Sequence, residues 1–266
     1  MPAPLITLTT DFGLSDGYVA AIKGVILSRT PEARIVDLCH AILPHDIMQA
    51  AFLVKETFPC FPSGTIHVVV VDPGVGSKRR IIVLSAHGHF FIAPDNGVLG
   101  GLISDGGMAF SVNRPDLYLQ PVSHTFHGRD IMAPLAAYLA GGHPPESIGD
   151  ALALEQLTAL QLPTPHVDPS CRQISGCVIR IDHFGNLITN IGFSDVQQLG
   201  TPPFSLSLSV GQHNIGSWYE NYSQSPSGEP MILVDSNGMI EIAINQGDAA
   251  RTMAVTIYDT VILSVC

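Results

Sequence analysis

The segment TIHVVVV, Thr65 to Val71, constrains the fold more than any other stretch of the chain. Successive side chains of a strand point to opposite faces, so an apolar run without polar alternation needs cover on both. A sheet sandwiched between helices supplies that cover. The surrounding sequence supplies the helices. Leu5 to Thr10 reads as a strand, Asp16 to Ser28 as a helix ended before Pro31, Arg34 to Cys39 as a second strand and Asp46 to Thr57 as a second helix. Further strands are expected at Ile81–Ser85 and Phe90–Ala93, and a helix from about Ile131 to Ala140. This βαβα rhythm predicts an α/β domain with a largely parallel central sheet and helices on both faces.

The rhythm fades between about Glu155 and Ser170, where Pro163, Pro165 and Pro169 gather. The expected division is an N-terminal α/β domain over 1–158, a linker over 159–171 and a C-terminal β-rich domain over 172–266. In the last part, Cys177–Ile181, Leu187–Asn190, Ser205–Ser209, Met231–Val234, Ile240–Ile244 and Met253–Leu263 are short runs divided by Gly, Asn and Pro. That spacing predicts a smaller antiparallel, barrel-like sheet.

Charge and cysteine content narrow the partners. The formal net charge is −11, which repels phosphate backbones and anionic membranes, so neither nucleic acid nor a membrane is an expected partner. No apolar run approaches the roughly 20 residues of a membrane helix, and Met-Pro-Ala-Pro does not read as a signal peptide. Five cysteines without a Cys-x-x-Cys pair suggest reduced thiols and a cytoplasmic protein.

Ligands of open α/β sheets bind beyond the carboxyl ends of the parallel strands. Three predicted strands run there into polar residues: Thr9-Thr10-Asp11-Phe12-Gly13, Asp37-Leu38-Cys39-His40, and Asp72-Pro73-Gly74-Val75-Gly76-Ser77-Lys78-Arg79-Arg80. The third lacks both the third glycine of a dinucleotide fingerprint and the Gly-Lys-Ser/Thr of a P-loop. Ala93-Pro94-Asp95-Asn96-Gly97 and Thr125-Phe126-His127-Gly128-Arg129-Asp130 are two further polar segments. Each has a structural reading beside the functional one. Asp11 and Asp95-Asn96-Gly97 suit turns, Arg79 and Arg80 suit a solvated pair, and His127 suits a helix cap. His40, His45, His87, His89 and His124 read as structural. From the residues alone the result is a two-domain protein with an Asp/His/Arg-lined cleft and no named substrate.

Six segments taken together say more. TDFGLSDGYV (Thr10 to Val19), VVDPGVGSKRR (Val70 to Arg80), APDNG (Ala93 to Gly97), TFHGRD (Thr125 to Asp130), IDHFGNLITNI (Ile181 to Ile191) and DSNGMIEIAIN (Asp235 to Asn245) follow one another as in a known family. The chain resembles the S-adenosylmethionine (SAM) hydroxide adenosyltransferases, relatives of the SAM-dependent fluorinase and chlorinase. That resemblance implies hydrolysis of SAM to adenosine and methionine, with SAM as substrate and no cofactor or metal. It also implies a homotrimer, with the site where one subunit's N-terminal domain meets its neighbour's C-terminal domain. Matched motif by motif, Asp72, Arg79 and His127 are the expected catalytic residues and Asp11 the ribose ligand. Asp182 and Ser236 match the positions holding the methionine end. Phe184, Asn186, Tyr222 and the backbone around Ile244 match the surroundings of the nucleoside. Asp248 stands where the resemblance leads one to expect Asn.

Such chemistry suits these side chains. Methionine leaves C5′ as a neutral thioether and requires no acid, so the difficulty is the nucleophile. A site helps by orienting one water in line with the carbon–sulfur bond and by taking its proton; Asp72 and His127 are both candidate acceptors. A halogenase is the nearest rival. Fluorinase-type enzymes carry Tyr at the position of Asp72 and Ser at that of Gly128. A carboxylate about 4 Å from a halide costs about 4 kcal/mol at an effective dielectric of 20, roughly a thousandfold. A SAM- or nucleoside-binding protein without turnover is a second rival. A metal hydrolase using Asp11, His40, Asp72 and His127 is a third, and it lacks a familiar ligand spacing.

Overall fold

A computed structural model describes residues 3–103, 107–160, 163–200 and 206–265. The chain divides into two compact units, Met1–Gln161 and Leu162–Cys266.

In the first unit the elements are β1 (Leu5–Thr10), α1 (Tyr18–Arg29), β2 (Arg34–Cys39), α2 (Ile47–Thr57), β3 (Ile66–Val70), β4 (Ile81–Ala86), β5 (His89–Pro94), α3 (Gly100–Ile103), β6 (Met108–Val112), α4 (Ala133–Ala140) and β7 (Gly149–Leu152). They build a seven-stranded mixed sheet in the order β2-β1-β3-β5-β4-β6-β7. Pairing is parallel from β2 through β1 and β3 to β5 and antiparallel across β4, β6 and β7.

The valine run behaves as its composition demands. Val68 and Val70 join Ile22 and Ile26 of α1 and Leu135 of α4 in one core cluster. Val69 and Val71 join Ala50 and Val54 of α2 in another. All four valines are buried, each side chain contributing about 1.5–3 kcal/mol relative to exposure. Asp46 caps α2, its carboxylate accepting from the Gln49 N–H at 2.8 Å. The expected helix near Ile131 begins instead as a π-helical turn, Gly128–Met132, which runs into α4.

The second unit holds β8 (His166–Asp168), β9 (Gln173–Ile181), β10 (Leu187–Gly192), α5 (Phe193–Gln197), β11 (Leu206–Val210), β12 (His213–Ile215), β13 (Pro230–Val234), β14 (Met239–Ile244), α6 (Ala249–Met253) and β15 (Thr260–Val265). The strands form a nearly closed antiparallel sheet, β12-β11-β15-β9-β10-β14-β13, with β8 alongside β9. Alternate residues fill its interior, among them Leu187, Ile191, Ile232, Ile240, Ile242, Val261 and Leu263. β8 lies within the stretch read as a linker; residues 161 and 162 of that stretch, and Ser205 of the expected strand Ser205–Ser209, fall outside the described residues.

The expected strand Met253–Leu263 is corrected. Asp248 caps α6 by accepting from the Arg251 N–H at 2.8 Å, and Ala254 ends the helix at φ 53°. Tyr258 turns the chain again at φ 73°, so β15 starts only at Thr260. A left-handed backbone cannot continue a strand.

Candidate active site

The tips of adjacent parallel strands β1 and β3 carry Asp11 and Asp72 to the same edge of the sheet. Two segments complete the wall. In the loop after β3, Gly76 adopts φ +78°, and a Cβ there would stand 2.3 Å from the His124 carbonyl oxygen. Only glycine allows the loop to lie against the segment that carries His127. Next to His127, a Cβ on Gly128 would meet Val70 Cγ1 at 2.9 Å, so the π-helical turn presses directly on β3. Asp130 is fully buried beneath it, accepting from Arg129 Nε at 2.6 Å and from the Ser123 N–H at 2.8 Å.

These elements enclose a cavity of about 320 Å³ whose lining includes Asp11, Asp72 and His127. Phe12, Tyr18 and Phe126 form its aromatic side, with ring centroids 5.3–5.9 Å apart. Arg79 sits behind the wall. Its Nε donates to both Asp72 oxygens at 2.9 Å, and its Nη2 donates to Asp72 Oδ2 and, at 2.8 Å, to His127 Nδ1. The Asp72 and Arg79 side chains are only 6% and 11% exposed, so solvent screens this pair little.

Arginine has donors and no acceptor. His127 Nδ1 is therefore the acceptor, and the neutral ring carries its proton on Nε2. Burial, and then the Arg79 charge, hold the His127 pKa below the usual histidine value. The trio is thus a carboxylate and a neutral imidazole locked by one guanidinium.

Other sequence features resolve as structural. Arg80, next to Arg79, donates to Asp95 at 2.9 Å and to the Gln156 carbonyl at 2.6 Å. Asp95 also accepts from the Thr158 N–H, and Asn96 donates to the Val71 carbonyl, so the 93–97 segment ties the sheet edge together. His40 is buried between Thr10 and Asp37, with both contacts at 2.9 Å. Among the described residues no group of three His, Cys, Asp or Glu side chains is arranged to hold a metal ion.

The second unit gathers the remaining expected residues. Asp182, Phe184, Asn186, Tyr222 and Ile244 line one cavity of about 590 Å³. A second, of about 360 Å³, is lined by Asp182, Tyr222 and Ser236 among others. Asp182 shapes the turn after β9, accepting from the Phe184 and Asn186 N–H groups at 2.8 and 2.9 Å and from Asn186 Nδ2 at 3.0 Å. Gly185 completes the turn at φ +83°, where a Cβ would strike the Asp248 carboxylate at 2.2 Å. The acid at position 248 serves there as a helix cap, a task asparagine performs equally well. Phe184 projects into solvent, 72% exposed.

Several lining residues were given no role at the site from the sequence. Phe12, Tyr18, Phe126 and Glu241 lie inside the six motifs, whose order was their only signal; Pro44 and His45 lie outside them. His45, at φ 70°, matters through its backbone N–H, which donates to Asp11 Oδ2 at 2.9 Å.

A strand-tip cavity with a preassembled acid–guanidinium–imidazole trio, on an α/β unit followed by a barrel, is an arrangement suited to an enzyme that activates a small nucleophile. The chain belongs to the SAM hydroxide adenosyltransferase family. The model of that family's N-terminal domain matches residues 6–149 and that of its C-terminal domain residues 176–262. An (R)-S-adenosyl-L-methionine hydrolase of Salinispora arenicola is 38% identical over 95% of both chains. A fluorinase of Nocardia brasiliensis is 31% identical over 74% of both. A crystal structure of an uncharacterized conserved protein from Thermotoga maritima superposes with a TM-score of 0.90 at 33% identity, covering 97% of this chain and 99% of that one.

Proposed function

We propose that this protein hydrolyses SAM to adenosine and L-methionine without a cofactor or metal. The observation that carries the reading is the Arg79 bridge from Asp72 to His127 on the wall of the strand-tip cavity. A water in that cavity can accept from His127 Nε2–H and donate to Asp72. Its oxygen forms the bond to C5′ as the C5′–S bond breaks, and the electron pair leaves on sulfur as a neutral thioether. As the carbon–oxygen bond forms, the water gains oxonium character and becomes strongly acidic. A carboxylate, although a weak base, then suffices to take the proton. His127 cannot serve as that base while Arg79 occupies its lone pair.

The same geometry disfavours halide. Asp72 presents negative charge, and a serine at position 128 would need Val70 to move. In the proposed complex Asp11 holds the ribose, Phe184, Asn186, Tyr222 and the backbone at Ile244 surround the nucleoside, and Asp182 and Ser236 hold the methionine end. We further infer a homotrimer in which one subunit's N-terminal unit faces its neighbour's C-terminal unit at each site. A cytoplasmic setting fits the four described cysteines, all free; no helix among the described residues is long and apolar enough to cross a membrane.

Purified protein incubated with SAM and a chelator is expected to yield adenosine and methionine by chromatography. In oxygen-18 water the adenosine should gain the label at O5′. Intact SAM at high enzyme concentration, or unlabelled adenosine, would refute the assignment. A monomeric mass in solution would remove the trimer.

A further inference from the structure

On β14 the isoleucines Ile240, Ile242 and Ile244 point into the barrel core. Strand alternation puts Glu241 and Ala243 on the outer face. That face is covered. Register aligns Arg180, Ile188, Glu241 and Leu233 in one row across β9, β10, β14 and β13, and Glu241 is only 3% exposed. The cover is the segment before β13. Tyr219 packs on Met231, Leu233 and Ala243, and backbone hydrogen bonds join Ile232 to Ser217 and Tyr219 at 2.8 and 3.0 Å.

The segment is thus strapped to the sheet without Glu241. Yet three residues further on, Tyr222 Oη donates to Glu241 Oε1 at 2.8 Å. Tyr222 as a whole is 45% exposed, so packing alone does not fix it. It lines two cavities of the C-terminal unit, as does Asp182. A buried carboxyl is costly, and here its direct partner is an aromatic ring shared by two cavities, one that also holds Phe184 and Ile244 and one lined largely by polar residues. Ser236, Asp235 and Arg180 line the polar side along with Glu241.

We propose that Glu241 is a positioning residue for substrate binding: it anchors Tyr222 as the partition between the two cavities. The nucleoside is then held on one side of the ring and the amino-acid end, at Asp182 and Ser236, on the other. This inference rests on the SAM hydrolase reading.

The test is steady-state SAM hydrolysis by wild type, Glu241→Ala, Tyr222→Phe, the double variant and Glu241→Gln, each checked by thermal unfolding. Glu241→Ala and Tyr222→Phe should each raise KM about tenfold with kcat within about twofold, the signature of lost uniform binding. The double variant should be no worse than either single, because both remove one interaction. Glu241→Gln keeps an acceptor for the phenol and should bring KM back to within about threefold of wild type. Unchanged KM in the single variants, additive losses, or a fall in kcat at constant KM would overturn the assignment while leaving the hydrolase reading intact. A wild type that leaves SAM untouched would overturn both. Should Glu241→Ala fail to fold, Tyr222→Phe, which removes only a hydroxyl from a half-exposed residue, decides the question.

Discussion

The two units handle buried charge in opposite ways. In the α/β unit, Asp72 is paired in fork fashion with Arg79, and the same guanidinium satisfies His127. In the barrel unit, Glu241 is as deeply buried but is hydrogen-bonded by a neutral phenol, with Asp182 and Asp235 nearby. Burial first, and then those two carboxylates, raise its pKa to about 7 despite the phenol and Arg180, which act the other way. The first arrangement ties an acid to a cation on the wall of the strand-tip cavity, where the proposed reaction needs a proton acceptor. The second keeps an acid on the edge of neutrality where shape matters more than charge. In the proposed function, chemistry and binding are thereby allotted to different electrostatic environments.

The sharpest way to break this contrast is to remove the charge that matters most. Asp72→Asn preserves shape but abolishes the carboxylate, and kcat should fall by about 10²–10⁴ while SAM affinity, measured by titration calorimetry, changes little. This is the reverse of the pattern expected at Glu241. If Asp72→Asn acted mainly through KM, the division of labour between the units would be wrong.

The next effect tests the barrel side. The folded-state pKa of Glu241, about 7, lies above its ordinary value of 4.5. Between those values the folded chain holds a proton that the unfolded chain has released, so stability declines as pH rises through the window and stays reduced above it. At 1.36 kcal/mol per unit the reduction is on the order of 3 kcal/mol at pH 8. Glu241→Gln, neutral at every pH, should therefore be more stable than wild type at pH 8 by about 1–3 kcal/mol and nearly equal at pH 4.5. Urea denaturation at both values decides it. A difference independent of pH would show that Glu241 is not the titrating group.

What the sequence disclosed follows the same line. The central strand was legible because four successive valines have one reading in a sheet, cover on both faces. The trio was legible only through the order of six motifs, since Arg79 and His127 are 48 residues apart and no local period links them. The π-helical turn was hidden: its register depends on Gly128 pressing against Val70, a tertiary contact. Short strands such as β12, three residues long, carry too little pattern to stand out. Glu241 was concealed for a plainer reason. An acid alternating with isoleucines looks like the wet face of a strand, and nothing local shows that Tyr219 and its neighbours will cover it. The run Met253–Leu263 misled because its apolar residues belong to two elements, divided by residues with positive φ.

The smallest effect concerns His127, where the two units should differ in sign. Its pKa is lowered by burial and then by Arg79, so the fold refuses a proton that the unfolded chain accepts below the ordinary histidine value of about 6.5. Between the lowered value and 6.5, stability therefore climbs with pH, opposite to the trend from Glu241. Activity follows the same group. Protonation would set an imidazolium against a guanidinium now 2.8 Å from Nδ1, destroying the hydrogen bond that orients the ring. The acid limb of kcat/KM for SAM should accordingly lie below pH 6.5, with hydrolysis undiminished as pH falls to that value. Replacing Arg79 by Gln removes the larger of the charges that lower it and should move the limb upward, toward the ordinary value, in whatever residual activity persists. A wild-type limb at or above 6.5, or one that Arg79→Gln leaves in place, would mean that the guanidinium does not hold His127 neutral, and the nucleophile would need a different donor.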